Sequence, residues 1–91
     1  MTEKNARKKI LIAEDNESLR KITKQLLGRG FPEFDVETFA DGSSLELRLN
    51  NGIDSVAVVM TDNTMPGVHG SDIIRRYALE QEFRKIPFIL C

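Results

Sequence analysis

The sequence predicts an α/β domain built on a doubly wound parallel sheet. Short apolar runs alternate with helix-period stripes in the order βαβαβαβ, the pattern of strands joined by crossover helices. The runs are unbroken rather than alternating, as expected of strands buried on both faces. Two of them stop abruptly at acids, Glu14-Asp15 and Asp62, and in such sheets ligands bind beyond the carboxyl ends of the strands.

Ile10-Leu11-Ile12-Ala13 is the first strand. Asn16 then reads as an N-cap, and Leu19, Ile22, Leu26 and Leu27 form one apolar helical stripe that Gly28 and Gly30 end. After Phe31-Pro32, Val36 to Ala40 is a β-rich run closed by the turn pair Asp41-Gly42. Leu45 and Leu49, with Leu47 nearby, make a short helix ended by Asn50-Asn51-Gly52. Val56 to Met60 is the most apolar strand and therefore central. Met65-Pro66-Gly67 is loop chemistry, and Ser71 caps a helix carrying Ile73, Ile74, Tyr77 and Ala78. Pro87 to Cys91 is a fourth strand with proline at its start.

Composition narrows the function. The 91 residues suffice for one domain, and 13 basic against 14 acidic residues leave a net charge of -1. That balance excludes a strongly basic nucleic-acid binder and gives no reason to expect an anionic-membrane partner. No apolar run approaches the roughly 18 residues of a membrane span, and Met1 to Lys9 lacks a signal-peptide core, so a cytoplasmic location is expected. That segment holds Lys4, Arg7, Lys8 and Lys9 against Glu3 and reads as a flexible basic leader, residues 1–9, ahead of a single domain. Cys91 is the lone cysteine; neither an intrachain disulfide nor a cysteine-ligated zinc site is available.

If the first and third strands are neighbours, their ends lie ~5 Å apart. Glu14, Asp15 and Asp62 then share one crevice. Like charges held this close raise one another's pKa unless a cation is present. Mg²⁺ suits such a shallow site, because it takes one or two carboxylates and keeps several waters; Ca²⁺ suits it less, since no Asp-rich wrapping loop is present. The competing reading is that the acids only cap the helices that follow, as Asp15 or Asn16 could for the first.

Ile10 to Asn16, followed by Thr61-Asp62-Asn63-Thr64-Met65-Pro66-Gly67-Val68-His69-Gly70, resembles the receiver domain of two-component response regulators. The similarity runs from Lys9 to Cys91. It implies a flavodoxin-like receiver fold that lacks its last strand and helix, with the four strands in the order 2-1-3-4. It also implies a non-enzymatic signalling module in which Asp62 is the phosphoacceptor, taking a phosphoryl group from a sensor kinase or phosphotransfer protein. Asp15 would bind Mg²⁺ directly and Glu14 through water, with Asp62 and the Thr64 backbone carbonyl completing the metal site. The chemistry is positioning and charge neutralisation rather than proton transfer.

Met65 is expected to pack under the loop and Pro66 to set its path. Gly67 and Gly70 are expected to supply positive φ. His69, the sole histidine, reads as an exposed loop residue without a companion ligand. The family also uses a Ser or Thr just after the fourth strand and a Lys after the fifth, and the sequence stops before both. Lys85 cannot substitute, because it precedes the fourth strand and lies about 20 Å from the acidic edge. Without the family's last strand and helix, apolar residues on the first-helix side of the central strands, Ile10 or Leu11 and Val58 or Val59, are expected to lie uncovered. Either the 91 residues belong to a longer receiver or the sheet is completed another way, for which a homodimer through that face is the candidate. With Met1 just ahead of the first strand, the receiver is expected to open its polypeptide. Two other functions compete: a degenerate receiver that only binds partners, and a phosphohydrolase of haloacid-dehalogenase type. The hydrolase would want a second acid two residues after Asp62, where Thr64 stands.

Overall fold

The computed structural model describes residues 7–65, 68–80 and 85–91. It contains β1 (Lys8–Ala13), α1 (Glu17–Gly30), β2 (Phe34–Phe39), α2 (Gly42–Asn50), β3 (Val56–Thr61), α3 (Gly70–Tyr77) and β4 (Phe88–Leu90). The four strands pair in parallel in the order β2-β1-β3-β4. The chain order of the strands reverses between β1 and β3, so the switch point lies between the two strands that end in acid. No helix among the described residues is long and apolar enough to cross a membrane.

Side-chain alternation divides the sheet into two unequal faces. Leu11, Ala13, Val56 and Val59 point to the side of α2 and α3, where Leu45, Leu49, Ile73, Tyr77 and Met65 complete a closed core. A register shift between Lys9 and Ile10 brings both Val56 and Val59 into this core, although they are three residues apart. Thr61, fully buried, satisfies its hydroxyl on the Asp62 carbonyl at 3.0 Å.

Ile10, Ala57, Val58, Met60 and Ile89 face the other side. With Leu27, Phe31 and Phe34 they line an open groove of about 380 Å³. Among the described residues only α1 lies on this side, and it packs on β2 at the sheet's edge. The apolar stripe of α1 is present but uncovered: Leu19 is 51% exposed, Ile22 51% and Leu26 63%, and no residue of the helix is buried.

Several boundaries differ from the sequence reading. Lys8 and Lys9 are not leader but the first two residues of β1, paired with Phe34 and Asp35 of β2. The basic charges answer acids on the neighbouring strand: Arg7 and Lys9 both pair with Asp35, at 2.7 and 3.7 Å. The rest of the expected leader, residues 1–6, lies outside the described residues. β2 starts at Phe34, two residues before the expected Val36. Asp41-Gly42 is not a turn pair: Asp41 caps α2, its carboxylate accepting from Ser44 N at 2.8 Å, and Gly42 begins that helix. Pro87 precedes β4 but still joins the ladder through its carbonyl, which accepts from Val59 N at 3.0 Å.

Candidate functional site

The acidic edge is built by strand register. β1 and β3 run side by side to their last residues, Ala13 opposite Thr61. One more ladder bond, from Asp62 N to the Ala13 carbonyl at 3.0 Å, carries the pairing past the strand end. Glu14 N likewise donates to the Phe39 carbonyl of β2 at 2.9 Å. Both chains therefore leave the sheet at the same level.

Glu14, Asp15 and Asp62 are brought together as expected. Each offers a carboxylate oxygen, and these oxygens all lie within 4.8 Å of one another. Glu14 and Asp62 are half-buried and Asp15 is exposed. The start of α1 holds Glu14: Asn16 N donates to Glu14 Oε2 at 3.1 Å, and Asn16 Oδ1 accepts from Leu19 N at 3.0 Å as the helix cap. Asn16, rather than either acid, fills the capping role, which leaves the Asp15 carboxylate for other use. Arg20, one turn into α1, donates to the Glu14 carbonyl at 2.9 Å and brings a positive charge to the same edge. Sequence reasoning passed over Arg20, since a lone arginine on a helix face carries no local signal.

The donor set fits a hard divalent cation. It is all oxygen, lies at an open edge and keeps at least one carboxylate exposed, as suits an ion that retains waters. Thr64 lies in the loop after β3 and is exposed. Beside the acids a cavity of about 200 Å³ is lined by Ile12, Leu19, Met60, Asp62 and Cys91, among others. Cys91 reaches it because its N–H donates to the Thr61 carbonyl at 2.9 Å, which continues the β4 ladder.

The loop from Asp62 to α3 is held by close packing. Met65 is 4% exposed and belongs to the core, as expected. Pro66 and Gly67 lie outside the described residues. Gly70 does not supply positive φ, because it is the first residue of α3. Its lack of a side chain serves space instead: a Cβ there would stand 2.5 Å from the Asp62 carbonyl oxygen. Ser71 is not the α3 cap either. His69 occupies the N-cap position without a side-chain cap bond, and the amide of Ser71 is satisfied by Asn63 Oδ1 at 2.9 Å. His69 is exposed, as expected. Lys85 is exposed and precedes β4, at the opposite end of the strand from the acids.

A parallel sheet with three clustered carboxylates at its switch point defines an acidic-site α/β domain. Residues 10–91 match the family model of the response regulator receiver domain, and the chain belongs to that family. It is 30% identical over 82 residues to the chemotaxis protein CheY1 of Helicobacter pylori, and 30% identical over 86 residues to CheY-3 of Vibrio cholerae. These alignments cover 90% and 94% of this chain but 64% of either relative; the chain thus spans less than two thirds of their length. The fold matches the chemotaxis response regulator CheY4 of Vibrio cholerae with a TM-score of 0.80 at 21% identity, covering 93% of this chain and 68% of that one. A response regulator receiver protein from Pseudomonas putida matches with a TM-score of 0.72 at 23% identity, covering 93% and 69%.

Proposed function

We propose that the chain is a phosphoacceptor module that takes a phosphoryl group on Asp62 from the phosphohistidine of a sensor kinase or phosphotransfer protein. The observation that carries this reading is the convergence of the Glu14, Asp15 and Asp62 oxygens within 4.8 Å of one another at the switch point. An aspartate is a poor nucleophile toward an anionic phosphoryl group. A divalent cation bound at this edge would neutralise charge on both and align them. Asp15 and the Thr64 carbonyl would hold Mg²⁺ directly, Glu14 through water, and Asp62 as both ligand and acceptor.

In the transfer, an Asp62 carboxylate oxygen attacks phosphorus, the P–N bond to the donor imidazole breaks, and the imidazole leaves with its electron pair and takes up a proton. The product is an acyl phosphate, which water can hydrolyse to regenerate the carboxylate. The module works in the cytoplasm, where such donors are found, and acts as a signalling domain rather than a turnover enzyme.

Incubation with an acyl-phosphate donor and Mg²⁺, followed by intact mass measurement, tests the reading. One added phosphate is expected. No addition would mark a partner-binding module, and multiple turnover on a phosphomonoester would mark a hydrolase.

A further inference from the structure

Between Asp62 and Thr64 stands Asn63, an exposed residue that is nonetheless bonded through both its side chain and its main chain. Its Oδ1 accepts from Ser71 N at 2.9 Å. Its carbonyl accepts from Gly70 N at 3.3 Å, and His69 Nδ1 lies 3.1 Å from the same oxygen. All three partners stand at the start of α3, although the capped amide is eight residues further along the chain. The first-turn amides of a helix lack intrahelical partners, and His69 at the N-cap supplies none from its side chain. Of the two ends of the Asn63 amide only the oxygen can accept from Ser71 N, so this contact also fixes the orientation of the side chain.

We infer that Asn63 is a positioning residue for the metal edge. By capping α3 from inside the acceptor loop, it fixes the backbone between the Asp62 carboxylate and the Thr64 carbonyl. A residue tied at both side chain and main chain has little freedom to rotate, so its two neighbours project in one direction each. The same helix start confines Asp62 from the other side, since Gly70 lies directly against the Asp62 carbonyl. The inference rests on the roles proposed above for Asp62 and Thr64. Partners that orient metal ligands from behind commonly affect metal affinity by about 10–100-fold.

The test is a calorimetric Mg²⁺ titration of the 91-residue chain, together with the Mg²⁺ dependence of its phosphorylation by an acyl-phosphate donor. Asn63→Leu, similar in volume but without an acceptor, is expected to weaken Mg²⁺ binding about tenfold. It should raise half-saturating Mg²⁺ for phosphorylation by the same factor, with the rate largely recovered at saturation. Asn63→Asp, which keeps the accepting oxygen, should bind at least as tightly as the unaltered chain. Should circular dichroism show Asn63→Leu unfolded, Asn63→Ala, which has no acceptor, takes its place with the same expectation. Unchanged Mg²⁺ affinity with only a lower melting temperature would reduce Asn63 to a helix cap and overturn the inference while leaving the proposed function standing. An unaltered chain that neither binds Mg²⁺ nor takes phosphate would overturn the function and this inference together.

Discussion

Asp62 and Asp15 differ from Glu14 in what already occupies them. Glu14 accepts from Asn16 N and is anchored through its carbonyl by Arg20, which suits a role at one remove from the ion. Asp15 is the exposed member of the cluster. Asp15→Ala is therefore expected to weaken Mg²⁺ binding far more than Glu14→Ala, as read by titration. Equal losses would show that the two roles are misassigned. The acids themselves were legible in the sequence because an apolar strand that ends in a carboxylate is a strong local contrast. The cap on Ser71 was not legible, because its acceptor, Asn63, lies eight residues upstream, outside the three- or four-residue window in which helix caps are read. Ser71 was the nearest residue of the right type, and only the tertiary path of the loop excludes it.

Among the elements, α2 has its start constrained by two neighbouring residues. Asp41 caps it, and the hydrogen bonds from Ser44, backbone first and then side chain, hold the Asp41 carboxyl below its ordinary value of 3.8. A carboxyl depressed in the folded state adds stability that is fully present above 3.8 and is lost as pH falls through the lower folded value. Asp41→Asn keeps a capping oxygen without the charge. Thermal melts in acid should therefore show a shallower loss of stability below pH 3.8 for Asp41→Asn than for the unaltered chain, and identical profiles would refute this role.

Gly42, next in line, lies so close to the Val68 main-chain carbonyl that a Cβ would collide with it. Gly42→Ala, favourable by helix propensity alone, is instead expected to destabilise by about 1–3 kcal/mol in chemical denaturation. The sequence offers Asp-Gly as a turn because the pair is strong turn chemistry. Here the aspartate serves as a cap and the glycine clears space, uses that the dipeptide does not distinguish.

At the scale of the whole molecule, topology was legible and coverage was legible in part. The βαβαβαβ order and the 2-1-3-4 strand order followed from run lengths and the family resemblance. The open face lies on the α1 side, as the resemblance led us to expect, but which residue of each neighbouring pair turns toward it depends on long-range packing. The sequence left Ile10 or Leu11, and Val58 or Val59, as alternatives for the uncovered side. In the structure Ile10 and Val58 line the groove, while Leu11 and Val59 are fully buried in the opposite core. Ile10 itself is only 5% exposed, so the deficit falls on Val58, Met60 and Ile89 of the sheet and on Leu19, Ile22 and Leu26 of α1. An apolar side chain left open forfeits up to about 1.5 kcal/mol, against a small domain's net stability of roughly 5–15 kcal/mol. A polypeptide of these 91 residues is therefore expected to self-associate at micromolar concentration through this groove or the β4 edge. Sedimentation velocity reads the outcome directly; a cooperative, stably folded monomer would contradict it.

The central claim, that Asp62 accepts phosphate at a Mg²⁺ edge, is tested most directly by locating the phosphate. After reaction with an acyl-phosphate donor, borohydride reduction converts an aspartyl phosphate to homoserine, which peptide mass mapping can place. Homoserine at position 62 in the unaltered chain is expected, dependent on Mg²⁺ and absent from Asp62→Asn with the fold intact by circular dichroism. Phosphorylation that persists at another residue in Asp62→Asn, or that proceeds equally without Mg²⁺, would contradict the account.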